Sequence, residues 1–192
     1  VMGGRAAGVR LSNGDMIEAD AVVFNGDVSA LGTGLLGSAS KKAAKPVLAA
    51  ERSLSAITWC LNTPTSGFPL DYHNVFFAED YQAEFDAIFG QRGICASPTV
   101  YICAEDRVGP EAPQGAERLL MLVNAPADGD RRDICGPALA QVEQAAFGLL
   151  KDCGLYFPTG PQGGISTGPA GFEHLFPASG GALYGRASHG MM

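Results

Sequence analysis

The chain has 192 residues, of which 46% are hydrophobic and 17% are charged, which excludes a disordered or coiled-coil protein. It carries 13 Lys and Arg against 20 Asp and Glu, a formal charge of -7, so nucleic acid is not expected as its principal ligand. No apolar run in the sequence reaches the roughly 20 residues that cross a bilayer. Five cysteines without a Cys-x-x-Cys pair predict a reducing, cytosolic setting without a disulfide framework.

The first part of the chain predicts a β-hairpin, a strand and a short helix. Arg5–Leu11 and Met16–Glu18 flank an Asn-Gly turn, which is the strongest short signal for a hairpin. The apolar run Ala19–Asn25 suits a strand buried on both faces, as in a parallel sheet. Val28–Leu36 suits a helix capped by Asp27. The turn between this strand and this helix lies where α/β sheets bind ligands.

A boundary over residues 38–46 separates this part from a region of strands and helices. Asp80–Phe89 and Pro137–Cys153 have apolar residues at helical spacing. The predicted strands are Leu54–Leu61, His73–Ala78, Thr99–Cys103 and Leu119–Asn124. Together they indicate an α+β fold, a mixed β-sheet with helices covering one face.

Two familiar motifs match the sequence, but the surrounding residues do not support the functions that these motifs usually carry. Gly32–Gly37 matches the dinucleotide pattern G-x-G-x-x-G, but no strand leads directly into its first glycine. Ser38–Lys41 matches S-x-x-K without the S-D-N and K-T-G that accompany it in penicillin-recognising enzymes. His73, His174 and His189 are too far apart in sequence for ligand spacing, so no metal site is predicted.

Aromatic residues are concentrated in two stretches of the chain. One stretch covers residues 59–89 and the other contains Phe172, Phe176 and Tyr184. Such residues can line a long apolar pocket, or they can simply form the core. The sequence leaves both interpretations open.

Several segments resemble the bacterial carotenoid desaturases of the phytoene desaturase type. Residues 8–27 resemble the hairpin and strand that re-enter the FAD-binding domain of that family, and segments across 53–127 resemble its substrate domain. The ending, Phe176–Gly190, is similar to the branch acting on hydroxylated or methoxylated neurosporene, the 1-hydroxycarotenoid 3,4-desaturases of purple bacteria. The family's FAD fingerprint and glycine-rich closing segment are not found here. We therefore expect a central fragment, with a hairpin and strand remnant of a Rossmann-like FAD-binding domain at 1–37 and a carotenoid-binding domain at 45–192.

The resemblance implies that the full-length parent is an FAD-dependent oxidoreductase. It would introduce a C3–C4 double bond into hydroxylated or methoxylated carotenoids by hydride transfer to the flavin. It would lie in the cytoplasm, peripheral to the inner membrane in which its substrate dissolves. The fragment alone is expected to lack FAD and to be inactive.

The resemblance also implies roles for particular residues. FAD contacts are expected at Asn25, Gly26 and Asp27, and carotenoid contacts at Trp59, Phe76, Phe77 and Tyr184. No catalytic base is selected, and Asp71, His73 and Arg186 are only candidate polar neighbours of the substrate.

Two other functions stay open on the sequence. One is a non-catalytic module that binds an apolar ligand or a partner through the aromatic residues. The other is a related FAD-dependent carotenoid isomerase or oxygenase. The chemical change in the product would distinguish all three.

Overall fold

The computed structural model describes residues 1–109, 113–159 and 164–187. Its strands are β1 (Gly8–Arg10), β2 (Met16–Glu18), β3 (Ser55–Thr63), β4 (Ser66–Gly67), β5 (His73–Phe76), β6 (Val100–Ala104), β7 (Glu117–Ala125), β8 (Leu155–Tyr156) and β9 (Ile165–Thr167). Its α-helices are α1 (Val28–Thr33), α2 (Tyr81–Phe85), α3 (Gly136–Asp152) and α4 (Pro169–Leu175). Single turns of 3-10 helix cover Ser38–Lys42 and Ala49–Glu51, and a π turn covers Asp86–Gly90. The last residues of the predicted carotenoid-binding domain, 188–192, lie outside the described residues.

A five-stranded sheet in the order β5-β6-β7-β3-β9 is the centre of the fold. Strands β3 and β7 pair along their full length, from Ser55 opposite Ala125 to Thr63 opposite Glu117. The predicted α+β class and the four long strands are confirmed. The sequence predicted a mixed sheet, whereas the four pairings within this sheet are all antiparallel. Strands β7 and β9 run in the same direction and α3 lies between them in the chain, but β3 separates them in the sheet.

Helix α3 covers one face of this sheet, as the sequence predicted. Side chains of a strand alternate between the two faces, and on this face Ile57, Met121 and Val123 are fully buried. They form one core with apolar residues of α3, including Val142, Ala146 and Leu150. Burial of an aliphatic side chain contributes about 1.5–3 kcal/mol, so this layer is the main source of stability.

The first part of the chain differs from its prediction at one element. The hairpin of β1 and β2 forms around an Asn-Gly turn, as predicted. The predicted strand over Ala19–Asn25 does not form, and Val23 is 93% exposed. A strand requires neighbours for its N–H and C=O groups, and the part of the chain that the structure describes provides none for this segment.

The predicted cap of α1 is confirmed, and α2 has a cap of the same kind. Oδ1 of Asp27 accepts a 2.8 Å hydrogen bond from the N–H of Ser29 at the start of α1. Oδ1 of Asp80 accepts one of 3.0 Å from the N–H of Ala83 at the start of α2. Each satisfies an N–H that the helix itself leaves unpaired.

Candidate functional site

The sheet face opposite α3 is mostly apolar and incompletely covered. We call this surface the open face, and two rows of cross-strand partners define it. The first row is Thr167, Thr58, Leu122, Tyr101 and Val75, and the second is Ile165, Cys60, Leu120, Cys103 and His73. Val75, Cys60 and Ile165 are exposed, while Leu120 and Leu122 at the centre are half-buried. A partly exposed apolar sheet face of this kind is a candidate binding surface.

Polar groups interrupt the open face near its β5 edge. Nδ1 of His73 and the hydroxyl of Tyr101 lie 2.8 Å apart, within hydrogen-bond distance. The two rings are also stacked, with centroids 6.0 Å apart, and the ring of Tyr72 meets His73 edge-on at 4.6 Å. Burial and the nearby thiol of Cys103 raise the pKa of Tyr101 above its usual value, so its hydroxyl stays protonated at neutral pH and can both donate and accept.

Helix α2 is fixed to one end of the open face by a buried carboxylate. Glu84 is fully buried. Its Oε2 accepts a 2.9 Å hydrogen bond from the N–H of Thr99, and its Oε1 accepts one of 2.8 Å from Nδ2 of Asn124. Because a buried polar group is costly unless it is hydrogen-bonded, these contacts hold α2 in one position on the sheet.

Four aromatic side chains form a ladder along α2 and the π turn that follows it. Phe77 contacts Tyr81 with ring centroids 5.7 Å apart, Tyr81 contacts Phe85 at 4.9 Å, and Phe85 contacts Phe89 at 6.3 Å. Phe77, Tyr81 and Phe89 are exposed. The ladder therefore presents an aromatic surface to the outside, where core packing would have buried it.

Two cavities lie on the side of the sheet that α3 covers. The smaller, of about 340 Å³, is bordered by Trp59, Glu143 and Phe147. The larger, of about 590 Å³, lies between α3 and the loops that carry Arg92 and Asp128. Neither lining includes a residue of the two rows that define the open face.

An ion-pair cluster borders the larger cavity. Arg132 donates a 2.7 Å hydrogen bond to Oδ2 of the buried Asp128, and Nε of Arg92 donates to both of its carboxylate oxygens at 3.0 and 3.1 Å. Burial acts to raise the pKa of Asp128, but the hydrogen bonds from Arg92 and Arg132 hold it below its usual value. Both guanidinium groups are thereby occupied by the protein's own carboxylate, which argues against an anion site.

The candidate cofactor residues lie where the start of the chain meets its end. Asn25 and Gly26 are exposed, and Asp27 uses Oδ1 to cap α1. A Cβ built on Gly185 would lie 3.9 Å from Oδ2 of Asp27, and the N–H of Tyr184 donates to Oγ of Ser53 at 3.0 Å. Two exposed residues and the second carboxylate oxygen of the half-buried Asp27 are thus available, which fits an edge contact with a bound cofactor.

The structure does not bring the four candidate carotenoid residues together. Trp59 and Phe76 belong to the core between the sheet and α3, and Trp59 is only 3% exposed. Phe77 is 64% exposed in the aromatic ladder, and Tyr184 is 75% exposed near Gly185. Their binding roles remain predictions.

Sequence reasoning missed the open face, although a signal was present. Along β3, Ile57, Trp59 and Leu61 alternate with less buried residues at positions 58 and 60. Buried residues at every second position indicate that the strand has a core face and a second, less buried face. The aromatic residues, taken alone, favoured the core. Of the candidate polar neighbours, His73 lies on the open face, and Arg186 forms a 3.5 Å ion pair with Glu51 away from it.

Among the described residues, neither a metal-binding cluster nor a helix suited to crossing a membrane is present. Within 1–109, 113–159 and 164–187, no group of three or more His, Cys, Asp or Glu side chains is placed to hold a metal ion. Over the same residues, no helix has the length and apolar character needed to cross a membrane.

Comparison with known proteins gives extensive matches. The chain is 55% identical to a hydroxyneurosporene desaturase of Rubrivivax gelatinosus over 196 aligned residues, which cover 100% of this chain and 37% of that protein. It is 42% identical to the hydroxyneurosporene desaturase of Cereibacter sphaeroides, with 99% of this chain and 38% of the relative covered. It is 38% identical to a 1-hydroxycarotenoid 3,4-desaturase of a Flavobacterium species, over 58% of this chain and 22% of the relative. No protein-family model matches, and the chain spans less than two fifths of the length of these relatives.

Proposed function

The chain is related along its whole length to the carotenoid desaturases, and from that premise we propose that it is the substrate-facing part of an FAD-dependent member of that family. The proposed reaction removes one hydrogen from each of C3 and C4 of a hydroxylated or methoxylated carotenoid and leaves a double bond between them. FAD, when bound, supplies the acceptor for the hydrogen that leaves as hydride, and the other hydrogen leaves as a proton to water. Residues 1–37 are assigned to the FAD-binding domain and residues 45–192 to the carotenoid-binding domain.

The open face is the observation that carries this proposal. A carotenoid is a long, flat polyene, and its recognition rests mainly on apolar area, at about 25 cal/mol for each Å² removed from water. Val75, Leu120 and Leu122 present such area across neighbouring strands. A rigid sheet keeps these side chains in fixed positions, so the surface can orient a polyene and exclude water from one side of it.

The proposal assigns different roles to the binding residues that were predicted from the sequence. Phe77 and Tyr184 are exposed and available for contact with the carotenoid. Trp59 and Phe76 support the open face from the core side of the same sheet. An edge of FAD would contact the exposed Asn25 and Gly26 and the second carboxylate oxygen of Asp27.

The aromatic ladder supports the proposed location of the parent on the cytoplasmic side of the inner membrane. Aromatic side chains partition favourably into the interface between lipid and water. Phe77, Tyr81 and Phe89 are exposed on one surface, next to the end of the sheet where α2 is fixed. A membrane contact there would place the open face near the lipid that dissolves the substrate.

The experiment uses the complete gene product that contains this chain, assayed with a 1-hydroxylated carotenoid in phosphatidylcholine vesicles. We expect a product that has lost two hydrogens and absorbs at longer wavelength, together with one bound flavin per protein. A product of unchanged mass would establish an isomerase, and one that has gained oxygen an oxygenase. Binding without any product would favour the non-catalytic module, and each of these three results would overturn the proposal.

A variant of the open face links the assay to the structure. Leu122→Glu places a charge in the middle of this face, and we expect catalytic efficiency to fall by about tenfold or more because a carotenoid cannot solvate the charge. Leu175→Glu, at an exposed position of α4, is the matched control and should retain activity. Equal activity of both variants would separate the open face from the substrate.

A further inference from the structure

The hydrogen-bonded pair of His73 and Tyr101 is a polar feature within an apolar surface. His73 ends the second row of the open face in β5, and Tyr101 lies in the first row in β6. Because His73 pairs with Cys103 and Tyr101 pairs with Val75 across the same two strands, the two side chains meet diagonally. Diagonal neighbours on one sheet face are within reach of long and aromatic side chains.

The pair has hydrogen-bonding capacity left after its own contact. One proton is shared between Nδ1 of His73 and the hydroxyl of Tyr101. The phenol oxygen has a further lone pair, and Nε2 of the imidazole is the ring's second polar position. His73 is exposed and Tyr101 is half-buried, so the pair is partly accessible from outside the sheet.

A neutral hydroxyl is the ligand group that this arrangement fits best. A hydroxyl donates one hydrogen bond and accepts others, which matches a phenol and an imidazole that can each take either role. The phenol of Tyr101 is uncharged at neutral pH because its ordinary pKa is about 10, and burial raises that pKa further, so the hydroxyl of an apolar ligand meets a neutral phenol.

We propose that His73 and Tyr101 bind the terminal hydroxyl of the carotenoid and thereby select hydroxylated substrates over those without oxygen. This inference rests on the proposed function and deepens it. The polyene lies on the apolar rows around Leu120 and Leu122, and its hydroxylated end meets the pair at the β5 edge. Tyr101 makes the contact, and His73 orients its hydroxyl.

Selection by such a pair has a physical basis. When a hydroxylated end group binds, the polar atoms exchange bonds with water for bonds with the ligand. When an end group without oxygen covers the same atoms, they lose their bonds with water and form none with the ligand, which weakens binding of that end group. Discrimination therefore arises mainly from the penalty against the wrong substrate.

The test measures the ratio of kcat/KM for 1-hydroxyneurosporene to kcat/KM for neurosporene in the complete gene product. We expect the wild-type protein to prefer the hydroxylated carotenoid and Tyr101→Phe to reduce that preference by about three- to tenfold, as for loss of one neutral hydrogen bond. His73→Leu is the second variant and should reduce the preference in the same direction. Tyr156→Phe makes the same chemical change at an exposed position of β8 and should leave the ratio unchanged.

The possible failures are distinguishable. A merely structural role for the pair predicts that Tyr101→Phe lowers kcat/KM equally for both carotenoids, and an unchanged ratio in both variants would overturn the inference while leaving the proposed function intact. A wild-type protein that desaturates neither carotenoid would overturn the proposed function and this inference with it.

Discussion

The indole nitrogen of Trp59 donates a 2.7 Å hydrogen bond to Oε1 of Glu143, which joins the central strand β3 to α3. Trp59 is buried, so its N–H has no equivalent partner in water once the chain has folded. Glu143→Ala should therefore lower the free energy of unfolding by about 1–3 kcal/mol. Glu143→Gln keeps an acceptor and should lower it by less than about 1 kcal/mol. Urea denaturation would check both values, with the exposed Gln144→Ala as control, and equal losses in the two Glu143 variants would contradict the assignment.

The core between the sheet and α3 predicts a contrast between two leucines. Leu150 is fully buried and Leu175 is exposed. We expect Leu150→Ala to lower the free energy of unfolding by about 2–5 kcal/mol through lost burial and a residual cavity, and Leu175→Ala by less than about 0.5 kcal/mol. Thermal and urea denaturation of the two variants would test this difference. Similar losses would mean that α3 is not the layer that stabilises the sheet.

The cluster of Asp128, Arg92 and Arg132 predicts how stability depends on pH. Because the pKa of Asp128 is lower in the folded protein than in the unfolded chain, its ionised form stabilises the fold above the unfolded value of about 4. That contribution is lost as the pH falls through the folded pKa. Asp128→Asn should therefore lower the free energy of unfolding by about 1–3 kcal/mol at pH 7, and the difference from wild type should shrink below about pH 4. Urea titrations at pH 7, 5 and 3 would measure it, and a difference that is independent of pH would contradict the ion pairs.

Close packing at Gly181 predicts a selective effect of a single methyl group. Gly181 has φ 78°, and a Cβ there would lie 2.3 Å from the carbonyl oxygen of Pro169. Gly14, in the hairpin turn, has φ 95° with nothing within 4 Å of a Cβ. Gly14→Ala should cost about 1 kcal/mol for backbone strain alone, whereas Gly181→Ala should cost clearly more because backbone must also move. Thermal unfolding would compare them, and equal shifts in Tm would show that the end of the chain is not packed against α4.

The aromatic ladder predicts a measurable affinity for lipid. The triple variant Phe77→Ser, Tyr81→Ser and Phe89→Ser removes its three exposed rings. We expect the complete gene product to float with phosphatidylcholine vesicles and this variant to remain largely in the soluble fraction, because each ring contributes apolar area to the interface. A matched triple variant removes exposed apolar residues elsewhere, at Val23, Val108 and Leu175, and should still float. Flotation of both variants to the same extent would contradict a membrane contact at the ladder.

Local sequence patterns predicted most of the fold because they describe what each segment buries. The apolar stripe of Pro137–Cys153 and the runs that became β3, β5, β6 and β7 need one partner layer, and each found it within this chain. The strand predicted over Ala19–Asn25 failed for the opposite reason. Its apolar residues indicated burial on two faces, but burial depends on what packs against a segment, and the described residues leave Val23 exposed.

The candidate site was harder to predict because the type of a residue does not show whether its side chain lies in the core or on the surface. Trp59 and Phe77 were chosen for the same aromatic chemistry, yet one lies in the core and the other lies in the exposed ladder. The contact between His73 and Tyr101 joins residues 28 positions apart and depends on the register of two strands. The sequence shows no local signal for such a register, because it is set by the packing of the whole sheet.

The long pairing of β3 with β7 also affects how the sequence of this protein can diverge in evolution. Successive positions along these strands belong to different surfaces, so a codon for residue 120 or 122 and a codon for residue 121 are under separate selection. Substitutions at 120 or 122 can change the open face without disturbing the core that residue 121 maintains. An insertion of one residue would exchange the two roles along the whole strand at once, and we therefore expect substitutions, rather than insertions, to account for divergence within these strands.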